Sequence, residues 1–297
     1  MRAAVVRSFG GPEAVEVVER ERPEPGAGQV RIKVAASALN PVDAGVRAGA
    51  FGGAGQEIGL GWDVAGTVDA VGDGGSGWAV GDEVVALDHG VIKPLGAHAA
   101  YVVVPVGAVA KAPAGADAVH AATLPLNALT ADQALDLLDP QPGASLLVTG
   151  AAGAVGGYAV QLAARRGLKV TGLARAADEA FVRGLGAAGF VAGEAEPGGY
   201  DLVLDAAVLG GPALAWARDG GAYVGVIPHA EPASERGVST TAVEVAADGA
   251  RLAELVRLVE EGALELRVAG EYPLADVAKA HARLAEGGLR GRLVLVP

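Results

Sequence analysis

One stretch constrains this chain more than any other: Leu146-Leu147-Val148-Thr149-Gly150-Ala151-Ala152-Gly153-Ala154-Val155-Gly156-Gly157, an apolar run that empties into a G-x-x-G-x-x-G turn. Behind the turn, Tyr158, Ala159, Val160, Leu162, Ala163 and Ala164 are apolar at helical spacing. After them, Leu168-Lys169-Val170-Thr171-Gly172-Leu173-Ala174 reads as a second strand. Strand, glycine turn, helix and strand make a βαβ unit, which builds parallel sheet. Such a turn presents backbone N–H groups and the positive end of a helix to a pyrophosphate, as in the doubly wound Rossmann fold. With 46 glycines in the chain, a glycine triplet alone arises by chance, so the weight falls on the flanking strands and helix.

Upstream of that unit the pattern is different. Short alternating runs over 29–35, 66–72, 81–87 and 99–105 are separated by Gly- and Pro-rich turns and predict a β-rich first third. From about Ala116 the period becomes helical, and strands are expected over 145–149, 169–173, 189–192, 201–205 and 222–227. Between the third and fourth of these, Gly193, Pro197, Gly198 and Gly199 favour a loop over a crossover helix. An amphipathic helix is predicted over 252–261, then a strand over 265–268, a helix over 274–284 and a strand over 292–296 that return to the first domain. The expected organisation is α/β: a β-rich first domain from 1–118 and 265–297, and a nucleotide-binding domain from 119–264.

Composition excludes several classes of function. The chain has 297 residues, 51% of them hydrophobic, yet no apolar run reaches the roughly 18–20 residues of a membrane span. The N-terminus alternates like a strand and lacks the long apolar core of a signal peptide. With no cysteine, disulfides and thiolate-bound zinc are impossible, and a cytoplasmic setting is expected. A net charge of −12 argues against a nucleic-acid surface, which needs clustered Lys and Arg. The five histidines show neither metal-ligand nor triad spacing, although His89 and His98 flank a loop of the first domain.

Read in order, five segments resemble the medium-chain dehydrogenase/reductase superfamily over nearly the whole chain. They are Ala38-Leu39-Asn40-Pro41-Val42-Asp43, Gly61-Trp62-Asp63-Val64-Ala65-Gly66, Val80-Gly81-Asp82-Glu83-Val84, Leu124-Pro125-Leu126-Asn127-Ala128-Leu129-Thr130-Ala131 and the glycine turn. The resemblance implies a GroES-like catalytic domain beside a Rossmann domain. Zinc relatives place a cysteine, a histidine and a cysteine where this chain has Asn40, Trp62 and Leu126, none of them a zinc ligand. The chain therefore resembles the zinc-free, zeta-crystallin-like quinone oxidoreductase branch, and no metal is expected. The resemblance also implies hydride transfer to a small quinone or α,β-unsaturated carbonyl compound, by a homodimer.

Candidate site residues follow. Gly150, Ala151, Ala152, Gly153, Ala154, Val155 and Gly156 are expected to hold the pyrophosphate. An NAD-preferring unit ends its second strand in an acid; here Ala174 stands near that position and Arg175 follows, which favours the 2′-phosphate of NADPH. Asp178 and Glu179 depart from the family, which often has a phosphate-binding lysine there. Ala206, Ile227, Pro228 and Arg292 complete the expected cofactor contacts, Ile227 and Pro228 at the carboxamide. Asn40 and Thr130 are expected to donate hydrogen bonds to the developing oxyanion, with Asn127 a third candidate, and Trp62 to wall the acceptor. Alternatively Asn40 begins a turn before Pro41, Thr130 caps a helix, and Asp63 is a structural hydrogen-bonding residue. Two other functions stay open: an NADPH-binding structural or sensing protein, and an enoyl reductase of a biosynthetic pathway. Residues 238–245 read as an outer strand with few edge charges, suited to pairing across a two-fold axis.

Overall fold

Apolar alternation and turn chemistry produce a chain of short strands before the first long helix. A computed structural model describes residues 1–74 and 77–297. The elements begin with β1 (Arg2–Val6), β2 (Val15–Glu19), β3 (Gln29–Leu39), α1 (Pro41–Ala48), β4 (Ile58–Gly59), β5 (Asp63–Val71), β6 (Glu83–Leu87), β7 (Tyr101–Pro105) and β8 (Val109–Lys111). They continue through α2 (Ala118–Ala121), α3 (Pro125–Leu137), β9 (Ser145–Thr149), α4 (Ala154–Arg165), β10 (Lys169–Ala174), α5 (Glu179–Gly184), β11 (Gly189–Ala192) and β12 (Tyr200–Asp205). The last are α6 (Gly211–Trp216), β13 (Ala217–Gly225), β14 (Ser239–Ala242), α7 (Gly249–Glu260), β15 (Val268–Pro273), α8 (Val277–Ala285) and β16 (Arg292–Val296).

The chain forms two compact units, Met1–Leu126 with Ala246–Gly262 and Leu266–Pro297, and Asn127–Val245 with Ala263–Glu265. In the first, the described strands form a β2-β1-β4 sheet and a larger one in the order β15-β16-β3-β5-β6-β8, with β7 also paired to β3. Val30, Ile32, Val64, Val68, Val84, Val102 and Val104 share one core there. The C-terminal return is real: β16 pairs with β3, Leu293 opposite Leu39. Two details differ from the sequence expectation. The strand expected over 265–268 begins at Val268 instead, and α7 groups with the first unit. Gly249 opens α7 so close to β8 that a Cβ there would lie 2.4 Å from the carbonyl oxygen of Val109.

The second unit is a parallel sheet in the order β11-β10-β9-β12-β13-β14, the doubly wound arrangement in which the order reverses beside the first strand. Buried Leu146, Leu147 and Val148 are apolar because β9 lies inside the sheet, paired with β10 on one side and β12 on the other. Helix α4 packs on β9 and β10, and α6 on β12 and β13. No helix joins β11 to β12, as the breakers at 193–199 led one to expect. Strand β14 pairs with β13 and closes the described sheet at one edge.

Candidate active site

In the second unit the glycine turn sits at the C-terminal edge of the sheet, where ligands of parallel α/β folds bind. Gly150 adopts φ +60°, a conformation that disfavours any other residue. A Cβ on Gly156 would lie 2.2 Å from the carbonyl oxygen of Gly150, so α4 can approach the turn only with glycine at that position. Gly153 is the N-cap of α4 and brings no side chain of its own to cover that helix end. The turn is anchored from behind by Asp205. Its carboxylate accepts from the Thr149 hydroxyl at 2.5 Å, the Tyr223 hydroxyl at 2.8 Å and the Gly210 N–H at 2.8 Å. Thr149 in turn accepts from the Ala207 N–H at 3.0 Å, which brings Ala206 and Ala207 against Gly150. Burial, and then Asp205, push the Tyr223 hydroxyl well above its usual range, so it stays a donor.

The remaining cofactor candidates of this unit lie on the same edge. Arg175 follows β10, and its Nε donates to Asp178 Oδ2 at 2.9 Å. Asp178 is 1% exposed and Arg175 64%, so the acid holds the root of a guanidinium that projects outward. Ile227 lines a small cavity of about 70 Å³ with Asp205, Tyr223 and Glu231; Pro228 is the next residue. Val208, a β-branched residue of that cavity wall, sits at φ 58°, strained backbone of the kind found at ligand clamps. Thr130 and Asn127 are buried within α3; Thr130 is interior to that helix and does not cap it.

In the first unit, Asp63 gathers the positions at which zinc relatives carry ligands. Its Oδ2 accepts from Asn40 Nδ2 at 2.6 Å and its Oδ1 from the Leu126 N–H at 2.7 Å, while Trp62 precedes it in the chain. Asp43 completes the lacing. It accepts from the backbone N–H of Asn40 at 2.8 Å, the reaching-back half of a capping box, and from the Gly61 N–H at 2.9 Å. Both acids are fully buried. Burial pushes the Asp63 carboxyl up to about 7; the Leu126 N–H, Asn40 and the charge of Arg292 oppose this, and Asp43 adds to it. Arg292, expected among the cofactor contacts, lies in the first unit, where its charge acts on Asp63.

This geometry revises the part expected of Asn40. Its side-chain nitrogen donates to Asp63 and, at 3.3 Å, to the carbonyl of Ala38, and the residue is wholly buried. The donor is spent inside the protein, where a carboxyl group at zero exposure is costly unless it is hydrogen-bonded. The turn read at Asn40-Pro41 is the start of α1, with Asn40 at the N-cap, Pro41 at N1 and Asp43 at N3.

Around Trp62 lies a group that sequence reasoning passed over. Asp88 donates its N–H to the Trp62 carbonyl at 2.7 Å, and Asp88 Oδ2 pairs with Lys93 Nζ at 2.7 Å. Lys93 stands 5.8 Å from the centre of the Trp62 ring, and His89 meets that ring edge-on. His98 is buried with Nε2 3.1 Å from the Ala38 carbonyl oxygen, and burial lowers its basicity, so it is a neutral structural residue. Among the described residues, no group of three or more His, Cys, Asp or Glu could hold a metal ion. No described helix is long and apolar enough to cross a membrane.

Comparison with known proteins bears directly on this site. Residues 26–114 match the family described as "Alcohol dehydrogenase GroES-like domain", and residues 175–295 the one described as "Zinc-binding dehydrogenase". An "NADPH-dependent alkenal/one oxidoreductase, chloroplastic" of Arabidopsis thaliana is 33% identical over 100% of this chain and 80% of its own length. The chain belongs to the quinone oxidoreductase branch of the medium-chain dehydrogenase/reductase superfamily. A "Quinone oxidoreductase" of Pseudomonas aeruginosa is 29% identical, covering 98% of each chain. The solved quinone oxidoreductase of Coxiella burnetii superposes with a TM-score of 0.90 at 27% identity, over 100% of this chain and 99% of that one. The protein is an oxidoreductase of this branch, with a GroES-like and a Rossmann domain and a nicotinamide cofactor. The side-chain-free cradle at Gly150 and Gly156 fits such a cofactor, whose chemistry is two-electron hydride transfer. An amide, an indole and an isobutyl group at positions 40, 62 and 126 do not fit the zinc that the second family's description names.

Proposed function

We propose that this oxidoreductase carries hydride from NADPH to a small quinone or α,β-unsaturated carbonyl compound. The observation that carries the proposal is the make-up of the positions laced to Asp63. Asn40, Trp62 and Leu126 supply no Lewis-acid ligand, so the chemistry favoured is addition to an acceptor already electron-poor, held against an apolar wall. Trp62 is that wall. Thr130 is the neutral donor of the proposal, and Asn40 acts by fixing Asp63 and the start of α1.

Residues 150–156 would cradle the pyrophosphate, Ala206 the adjoining ribose, and Ile227 with Pro228 the carboxamide. Preference for NADPH is supported by Ala174 where an acid would repel a 2′-phosphate, and by the outward guanidinium of Arg175. The NADPH dependence stated in the name of the Arabidopsis relative supports the same choice. Homodimer formation through the β14 edge, and work in the cytoplasm, belong to the proposal. An NADPH oxidation assay over a panel of quinones, 2-alkenals and enoyl thioesters tests the acceptor class; the first two should be reduced, and reduction of enoyl thioesters alone would favour a biosynthetic enoyl reductase.

A further inference from the structure

We propose that Lys93 is a catalytic residue of this reduction: its ammonium group meets the carbonyl oxygen of the acceptor and stabilises the negative charge that arrives there. The proposal rests on the reading that Trp62 lines the acceptor site.

Lys93 is held beside Trp62 by backbone on both sides. The Gly59 N–H donates to the Lys93 carbonyl at 2.8 Å, the Ala97 N–H to that of Gly61 at 3.0 Å and the His98 N–H to that of Leu60 at 2.9 Å. The two segments are pressed together so closely that a Cβ on Gly96 would lie 2.2 Å from the Leu60 carbonyl oxygen. The Asp88–Trp62 backbone bond closes the loop from its other end. Within this frame the side chain of Lys93 is only 13% exposed, and that of its salt-bridge partner Asp88 16%. Two of its three donors go to Asp88, one to the carboxylate and one to the backbone carbonyl. Among the described residues no acceptor takes the third, and the ammonium faces the Trp62 ring. Asp88 makes the pair a dipole of little net charge, which acts weakly on an uncharged acceptor and more strongly on an anion at its ammonium end. An oxygen gaining charge next to Lys93 meets a cation screened little by water.

The electrons balance without a further reactant. An enone accepts the hydride at its β-carbon as the C–H bond of the reduced nicotinamide breaks. The C=C pair shifts toward the carbonyl carbon, the C=O pair moves onto oxygen, and the enolate oxygen rests against Lys93. Water then supplies one proton to the α-carbon. A quinone accepts the same two electrons, leaves as its hydroquinone anion and takes its proton from water. Lys93 keeps its own protons throughout.

The test uses the protein saturated with NADP⁺, in which no turnover occurs, and titrates 2-hydroxy-1,4-naphthoquinone, an anion at neutral pH, against neutral 1,4-naphthoquinone. Lys93→Met should weaken binding of the anionic quinone about ten- to a hundred-fold, and of the neutral one by less than about threefold. Lys93→Arg should keep most of the anion affinity. In turnover with 1,4-naphthoquinone, Lys93→Met should lower kcat with little change in KM. Because Lys93→Met leaves Asp88 unpaired in a half-buried place, the double variant Asp88→Asn/Lys93→Met is measured beside it and should show the same selective loss. Equal losses for both quinones, or an unchanged kcat, would overturn the proposal and leave Lys93 a prop for Trp62. Failure of the unmodified protein to bind or reduce either quinone would instead remove the acceptor site, and Lys93 with it.

Discussion

Replacing Asp63 by asparagine keeps the size of the side chain and abolishes its titration. In the native protein burial raises this carboxyl from 3.8 to about 7, against the pull of the Leu126 N–H, Asn40 and Arg292. The sign follows from proton counting. Between those two values the folded protein holds a proton that the unfolded chain has released, so folding stability falls as pH rises through that interval. Each unit is worth about 1.4 kcal/mol, which sets about 4 kcal/mol as the largest total effect. Below about pH 3 and above about 8 the two states bind this proton nearly equally and the slope vanishes. The variant has no slope of this origin. It has one acceptor oxygen where Asp63 offers two, so either Asn40 Nδ2 or the Leu126 N–H loses its partner, a pH-independent cost of about 1–3 kcal/mol. Urea unfolding of both proteins at pH 5 and pH 8, with equal m-values as a control, reads the difference. The stability of the variant relative to the native protein should improve by about 2–4 kcal/mol between the two pH values. Parallel curves would show that Asp63 titrates like an exposed acid, and the account of its buried charge would fail.

Two further outcomes are expected. Arg175→Ala should weaken NADPH binding about ten- to a hundred-fold, the value of one charge-assisted hydrogen bond, and leave NADH binding unchanged; calorimetry with both cofactors checks it. Light scattering at micromolar concentration should give twice the monomer mass, with a charged substitution at Thr240 on the β14 edge shifting the protein toward monomer; the monomer mass in the unmodified protein would exclude the dimer.

The parallel sheet was legible because its signals are local. The strands at 145–149 and 189–192 stand where the apolar runs meet glycine. The β13 strand was read too short, from 222 instead of Ala217, because Asp219, Gly220 and Gly221 look like a turn while in fact they pass through an irregularity in the β12 pairing. Helix α1 was missed for a related reason. Asn before Pro signals a turn, and only the acid three residues on makes it a helix start. In the site, Asn40 was legible as a position and not as a direction. Which way its amide points depends on Asp63, 23 residues away, and on burial that no spacing reveals. Lys93 gave no signal for the same cause: a lone lysine in a loop looks like any solvated charge until Asp88 and Trp62 are found beside it. Asp178, an apparent departure from the family in the sequence, is the residue that tethers the Arg175 guanidinium, a contact that no spacing rule announces.

The most direct test of the central claim is steady-state oxidation of NADPH by the purified protein, with 1,4-naphthoquinone, 9,10-phenanthrenequinone and a series of 2-alkenals as acceptors. Saturable reduction of at least one quinone or alkenal is expected, with kcat/KM at least about tenfold higher for NADPH than for NADH. Tight NADPH binding without turnover of any acceptor would contradict the assignment and leave a nucleotide-binding protein in its place.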